Sequence, residues 1–462
     1  MCGTHLLHLL SLLAELSSPL PTIAIFAKAT CFNPIPPDDN TSFSGSFQTQ
    51  AKDDTSLGKK KLELELSFPQ EEFHFEGGSL RVWRRDVITF PDKQLDVSEI
   101  IFQEDGLLLP QYADADGISY VLQGTGKLGV VSLSESGLPQ SSIRRVEQGD
   151  VLAIPKGAVF WWYNDGYGEH RIFCASDTSG GVNSGLYHQF TLAGARMDRF
   201  GGLLHGFGVE VLADAWNVDE DIVTRLLESQ NGTTIVKSPR RIRLPDPRGI
   251  GVHSSHGGIE VKQTNFKISE FRYNLNREYP DLYVKRGGWK KGADESNLPV
   301  LRKVGMSALR VGLEPNAVEA PLYFSNANQI VYIIRGNGRI EVASNDGESI
   351  LDKYVGAGTI LAIPKFTPSI KVAGDGGLSF LTFLTSSRPL PSYLIGRNSF
   401  YEGIPTQVMA EAFDVDESTL LEVQEKRKVD ELYSFLRQRH RCLQSRMSTA
   451  LLQAEIMYIF AC

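Results

Sequence analysis

The segment VLAIPKGAVF at residues 151–160 returns, little altered, as ILAIPKFTPS at residues 360–369. Two further pairs keep the same order along the chain. SYVLQGTGKLGVV (119–131) matches VYIIRGNGRIEVA (331–343), each an apolar run, a Gly-x-Gly followed by a basic residue, and a second apolar run. VLADAWNVDED (211–221) matches VMAEAFDVDES (408–418). Gly124 and Gly336 are offset by 212 residues and Pro155 and Pro364 by 209, so the second copy has shortened one loop. Three ordered matches mean that one unit was written twice. A chain of 462 residues also exceeds what one hydrophobic core normally serves.

Each unit is built of short β-branched and aromatic runs punctuated by Gly, Asn, Asp and Pro, the pattern of an antiparallel all-β domain. Each unit ends in a helical pattern. Asn217 and Asp414 are placed to cap a helix, with Glu220 and Glu417 three residues on to close a capping box. Val218, Ile222 and Leu226 then recur at helical spacing, as do Val415, Thr419 or Leu420, and Val423. The expectation is two sandwiches or barrels, each with a helical tail.

GTGKLG (124–129) has the spacing of a dinucleotide fingerprint, but that mechanism needs a helix N-terminus after the glycines. The strand-like VVSLSE follows, and Glu341 replaces the third glycine in the other copy, so a hairpin turn is the reading adopted. The formal charge of −8 and scattered basic residues give nucleic acid no footing. The densest basic stretch, KSPRRIRLPDPRG (237–249), is broken by three prolines and reads as a connection. No apolar run is long enough to span a bilayer. Of five cysteines only Cys174 lies in the long middle, so the body holds no internal disulfide. Cys174 follows Ile172 and Phe173 and reads as a buried packing residue rather than a nucleophile. Phe160, Trp161, Trp162 and Tyr163 read as a strand with one face in the core and the other against a neighbouring domain or subunit, in preference to the lining of a ligand mouth.

Gly149, five residues, Pro155, one residue, Gly157 and later Asn164 resemble the second conserved motif of the cupin superfamily, whose domains are small jelly-roll barrels. The second unit keeps Gly358 and Pro364 but has Phe366 for the glycine and Ala373 for the asparagine. Two such units with helical tails, together with NLPVLRKVGMSALRVGLEPNAVEAPLYFSNANQIVYIIRGNGRIEV (297–342), resemble the legumin-type (11S) seed storage globulins and their glutelin-like members. That resemblance covers about residues 62–436. It implies an all-β fold of two jelly-roll (cupin) barrels, each followed by a C-terminal helical segment.

Many cupins hold iron or manganese with two histidines, a glutamate and a third histidine. The family spacing, counted back from Gly124, lands on Gly117, Tyr112 and Pro110, with Phe160 at the third histidine position. Counted back from Gly336 it lands on Gln329, Phe324 and Leu322, with Ser369 at the third position. A register shifted by one gives Gln111 with Ala113, and Tyr323 with Ser325. None is a ligand set for such a metal. His253 and His256, in HSSH, have metal-compatible spacing but no nearby cysteine partner and read as a surface loop. The expectation is therefore no catalytic, cofactor-binding or metal residue, no cofactor, and two interiors filled by packed side chains.

The resemblance further implies a non-enzymatic nutrient reservoir that self-associates, as a trimer or hexamer, through its terminal helices. No nucleic acid or membrane partner is expected, and any small-molecule ligand is undefined. In legumins an Asn-Gly bond is cleaved and a disulfide joins the products. The matching stretch here, HGGIEVKQTNF (256–266), has Gly257 for the asparagine and no following cysteine, so an uncleaved chain is expected. Residues 1–61 read as a leader, 62–236 as the first unit, 237–261 as the linker, 262–436 as the second unit and 437–462 as an extension. The apolar run near the start lacks a preceding Lys or Arg and is interrupted by Glu15, which favours the cytoplasm over the secretory route to a storage vacuole. A small-ligand-binding cupin is the alternative function, a metal-dependent cupin enzyme the less favoured one.

Overall fold

The computed structural model describes residues 64–88, 90–133, 139–196, 201–244, 271–396, 398–426 and 432–434. The leader, the HSSH segment, the 256–266 stretch and the C-terminal extension lie outside the described residues.

Both units are antiparallel β-structures, each followed by a helix pair. In the first, strands Leu95–Phe102, Asp116–Gln123, Asp150–Ile154 and His170–Asp177 form one sheet, and Gly106–Ala113, Thr125–Leu133, Pro139–Glu147 and Val159–Tyr163 the other. In the second, the strands Gln329–Ala343 and Ser369–Leu384 run through the corner and pair along almost their whole length.

The repeated Gly-x-Gly makes that corner. It is not the hairpin expected from the sequence: Asp116–Gln123 and Thr125–Leu133 belong to different sheets, and in the second unit one strand passes straight through. Gly124 and Gly336 both have positive φ, 80° and 84°. A Cβ at Gly124 would lie 2.5 Å from the Glu169 carbonyl oxygen, and one at Gly336 would lie 2.1 Å from that of Gly377. Only glycine permits both the dihedral and the close approach where the chain changes sheets.

The helical tails also differ from expectation. Asn217 and Asp414 are left-handed (φ 52° in both) and end helices, Val209–Trp216 and Thr406–Phe413, instead of starting them. Their amides, and those of Val218 and Val415 just after them, bond back to the final turn. The second helices begin at Glu220 and Glu417. Short polar side chains tolerate the left-handed region, so the same residue types serve both ends.

The largest buried cluster lies between the barrels. Trp83, Val97, Ile118, Tyr120 and Phe173 of the first unit meet Ile330, Tyr332, Leu381 and Phe383 of the second. Phe173 stacks on Phe383 at 5.4 Å and edges Trp83 at 5.7 Å. Arg310 donates to the Tyr120 hydroxyl at 2.7 Å, and Lys365 pairs with Asp92 at 2.8 Å. Each unit also lends a strand to the other: Leu66–Ser67 pairs with Ile360 and Leu361, while Arg272–Asn274 pairs with Asp150–Leu152.

Candidate functional site

Strand alternation gives each barrel wall one face toward the other barrel and one toward its own bore. In Leu95–Phe102 the residues Leu95 and Val97 join the shared core, while Asp96, Ser98 and Ile100 line the first bore. The first bore is open. It encloses a cavity of about 730 Å³, bounded further by Gln111, Ser119, Cys174 and Trp162. The expectation of an interior filled by side chains fails here, because small residues stand where bulky ones would be needed.

The shifted register is the one that faces inward. Gln111 and Ala113 line the cavity, whereas Tyr112 turns out and stacks on Phe190 at 4.7 Å. Gly117, at the glutamate position, offers no side chain, and Phe160, at the third histidine position, supplies only a ring. Gln111 is buried, and its Oε1 has no hydrogen-bond partner among the described residues. Cys174 faces the cavity, accepting from the Ser119 hydroxyl at 3.3 Å; burial pushes its thiol up to about 12, so no thiolate forms. It packs, half-buried, against the first barrel's apolar cluster and also lines the cavity. Burial also lifts Asp96 to about 6, against the pull of Arg85.

The aromatic strand behaves as its alternation suggests. Phe160 and Trp162 enter the bore, while Trp161 lies over Gly129, where a Cβ would collide with its ring at 2.0 Å. The fully buried Tyr163 donates to Asp105 at 2.6 Å. The motif residue Asn164 is structural: its amide donates to the Gln103 and Gly168 carbonyls at 2.9 and 2.8 Å. His170, fully buried beside Phe102 and Trp162, approaches the Gln123 carbonyl through Nδ1 at 3.1 Å. Burial drives it down to about 4, which keeps the imidazole neutral.

The second bore is charged. Glu319 sits opposite Lys371 on paired strands, and Lys371 Nζ lies 2.8 Å from its Oε2. Lys290, from strand Gly288–Ala293, brings its Nζ to 3.0 Å from Oε1 and donates to the Tyr393 hydroxyl at 3.0 Å. Burial alone would raise the Glu319 carboxyl, but the two ammoniums outweigh it and hold it near about 2. Leu322 and Phe324 face this bore in the unshifted register, together with Gln329 at the glutamate position. Ser369, at the third histidine position, is buried and 3.4 Å from Lys371 Nζ.

Neither bore fits a cupin metal. Amide, methyl and ring groups occupy the ligand positions of the first, and the second places ammonium groups where a cation would sit. Among the described residues no group of three or more His, Cys, Asp and Glu is arranged to hold an ion.

Both units match the family model described as Cupin, over residues 64–223 and 273–420. The chain belongs to the cupin family. Within it the chain is similar to cocosin 1 of Cocos nucifera, at 27% identity over 81% of this chain and 88% of that one. It is similar also to glutelin type-B 2 of Oryza sativa subsp. japonica, at 28% identity over 68% of this chain and 74% of that one. The crystal structure of the coconut allergen cocosin superposes with a TM-score of 0.73 at 25% identity, covering 81% of this chain and all of that one. The resemblance to legumin-type globulins and glutelins read from the sequence therefore holds across both barrels.

Proposed function

We propose that this cupin is a legumin-like storage globulin, a nutrient reservoir and not an enzyme. The observation that carries this reading is the continuous likeness to cocosin and the glutelins through both barrels and their helix pairs. The bores agree with it, since neither presents the donors that cupin metal chemistry requires. Quantitative proteomics through seed filling and germination tests it: the protein should accumulate to bulk levels and then be consumed. Constant low abundance would overturn the reading.

The chain self-associates, as a trimer or hexamer, through the helix pairs. Supporting this, Ile222 and Leu226 of the first tail and Leu421 and Val423 of the second are exposed, while Val223 is buried. Exposed apolar stripes of this kind are covered by a partner. Sedimentation at high concentration should give three or six copies; a strict monomer would defeat it. The polypeptide stays uncleaved and resides in the cytoplasm, readings that rest on Gly257 and on the composition of the first residues. Intact mass of native material checks both.

The first bore favours a second reading, that of a small-ligand binder. Its cavity of about 730 Å³ has the size and mixed lining of a ligand pocket. A thermal-shift screen against neutral hydrogen-bonding compounds tests it.

A further inference from the structure

One row of paired residues crosses four strands of the second barrel. Trp289, on Gly288–Ala293, pairs with Gly312 on Ser307–Leu313; Gly312 pairs with Ser379 on Ser369–Leu384, and Ser379 with Arg335 on Gln329–Ala343. Residues directly opposite one another share a sheet face, as do residues two apart on one strand, so Arg310 joins this row beside Gly312. The Trp289 ring lies against Gly312, where a Cβ would come within 2.5 Å of the indole nitrogen, and the Arg310 guanidinium sits over that ring at 5.4 Å. The row lines a cavity of about 160 Å³. Its polar groups are largely donors without acceptors. Arg310 Nη1 donates to the Tyr120 hydroxyl at 2.7 Å and to the Asn276 side chain, but its Nε is buried and has no acceptor among the described residues. The Ser379 hydroxyl is likewise buried and unpartnered among them. The exposed Arg335 guanidinium has no ion-pair or hydrogen-bond partner among the described residues. A buried N–H or O–H left unpaired costs free energy that a bound acceptor would recover.

We infer that this cavity binds a tetrahedral oxyanion of the phosphate or sulfate type, held by the Arg310 and Arg335 guanidiniums and the Ser379 hydroxyl. Guanidinium N–H groups match the oxygens of such an ion, and their charge-assisted bonds are the stronger kind. The three donors stand on three neighbouring strands and approach from different directions, which suits oxygens that do not lie in one plane. A cavity of about 160 Å³ admits the ion but not the body of a nucleotide. The lining also carries the carboxylate of the exposed Glu314. Two guanidiniums outweigh it, so the cavity stays positive. This site lies outside both bores, and it adds to the storage role without depending on it.

The test is equilibrium dialysis of the full chain against radiolabelled inorganic phosphate at pH 7 and constant ionic strength. The chain should take up one phosphate, with half-saturation on the order of 1 mM. Unlabelled sulfate should displace it, and acetate should not. Sulfate acting at lower concentration than unlabelled phosphate makes sulfate the preferred ion of the pair. Arg335→Gln, at an exposed position where the fold is not at stake, should weaken uptake about tenfold, the loss of one charge-assisted hydrogen bond. Ser379→Ala should weaken it about fivefold, the loss of one neutral hydrogen bond. Glu314→Gln removes the opposing carboxylate and should strengthen uptake about threefold. No uptake by the wild type, uptake unchanged in Arg335→Gln, or displacement by acetate as readily as by sulfate would each overturn the inference.

Discussion

The two barrels descend from one unit and have treated their bores in opposite ways. The first keeps about 730 Å³ of space walled by hydroxyls, a thiol and an amide; the second keeps about 430 Å³ beside a buried Lys–Glu–Lys cluster. Both are nevertheless sealed against each other by the same aromatic core, in which Trp83, Phe173, Tyr332 and Phe383 are almost wholly buried. The difference teaches that the shared face is one core common to both units, whereas each barrel packs a separate apolar cluster of its own, around Phe102 and Trp162 in the first and around Val331 and Phe380 in the second. Each such ring contributes roughly 1.5–3 kcal/mol by leaving water. Once no metal had to be gripped, the bores were free to diverge.

The sharpest way to break this contrast is Glu319→Ala. It removes the carboxylate that the Lys290 and Lys371 ammoniums share in the buried bore and should cost about 3–5 kcal/mol, read from urea denaturation at pH 7. A loss below about 1 kcal/mol would mean that the second bore is no more ionic than the first.

Acid separates the barrels next. His170 is neutral when folded, near about 4, and ordinarily titrates at 6.5. Protons bind the unfolded chain first, so its contribution is whole above pH 6.5 and is lost as pH falls towards 4, on the order of 3 kcal/mol. Glu319, held near about 2 against an ordinary 4.5, keeps its contribution above pH 4.5 and loses it towards pH 2. The first barrel should therefore weaken at milder acidity. Asp96 acts against that trend: its raised value penalises the fold above pH 6 and the penalty fades towards 3.8. Asp96→Asn should accordingly steepen the decline between pH 6.5 and 4. Hydrogen exchange of the two barrels across this range checks the order.

A smaller effect comes from the repeated pentapeptide itself. Gly157 and Phe366 occupy equivalent turns, with φ of 76° and 62°, and their amides donate to the Ala113 and Phe324 carbonyls at 2.9 and 2.8 Å. A phenylalanine is strained at that dihedral where glycine is not. Phe366→Gly should stabilise the chain by about 1 kcal/mol in thermal or urea unfolding, sharpening the symmetry. The smallest expected change is Ser119→Val in the open bore, within about 0.5 kcal/mol either way, because the lost contact to Cys174 is weak and space is available.

Duplication and fold class were legible in residue identity and spacing. The inward register was legible only in part. Counting from Gly124 selects Tyr112, yet Gln111 and Ala113 face the bore, one residue out of step with the family spacing. A second shift between Glu319 and Leu322 hides Glu319 from a simple alternation, since it breaks the parity that Leu322 and Phe324 would set. Lys371 is within reach of sequence reasoning: it lies two residues beyond Ser369 and shares its face. Lys290 is not, as nothing in GGWKKGA distinguishes which lysine turns inward. The left-handed Asn217 and Asp414 escape such reasoning because Asn and Asp favour both helix starts and helix stops.

The loan of Leu66–Ser67 to one sheet and of Arg272–Asn274 to the other makes the halves mutually incomplete. Expressed alone, either would lack an edge and display a sticky aromatic surface; supplied together as separate polypeptides, they should find each other and knit. The molecule is in this sense two halves, each of which completes a sheet of the other.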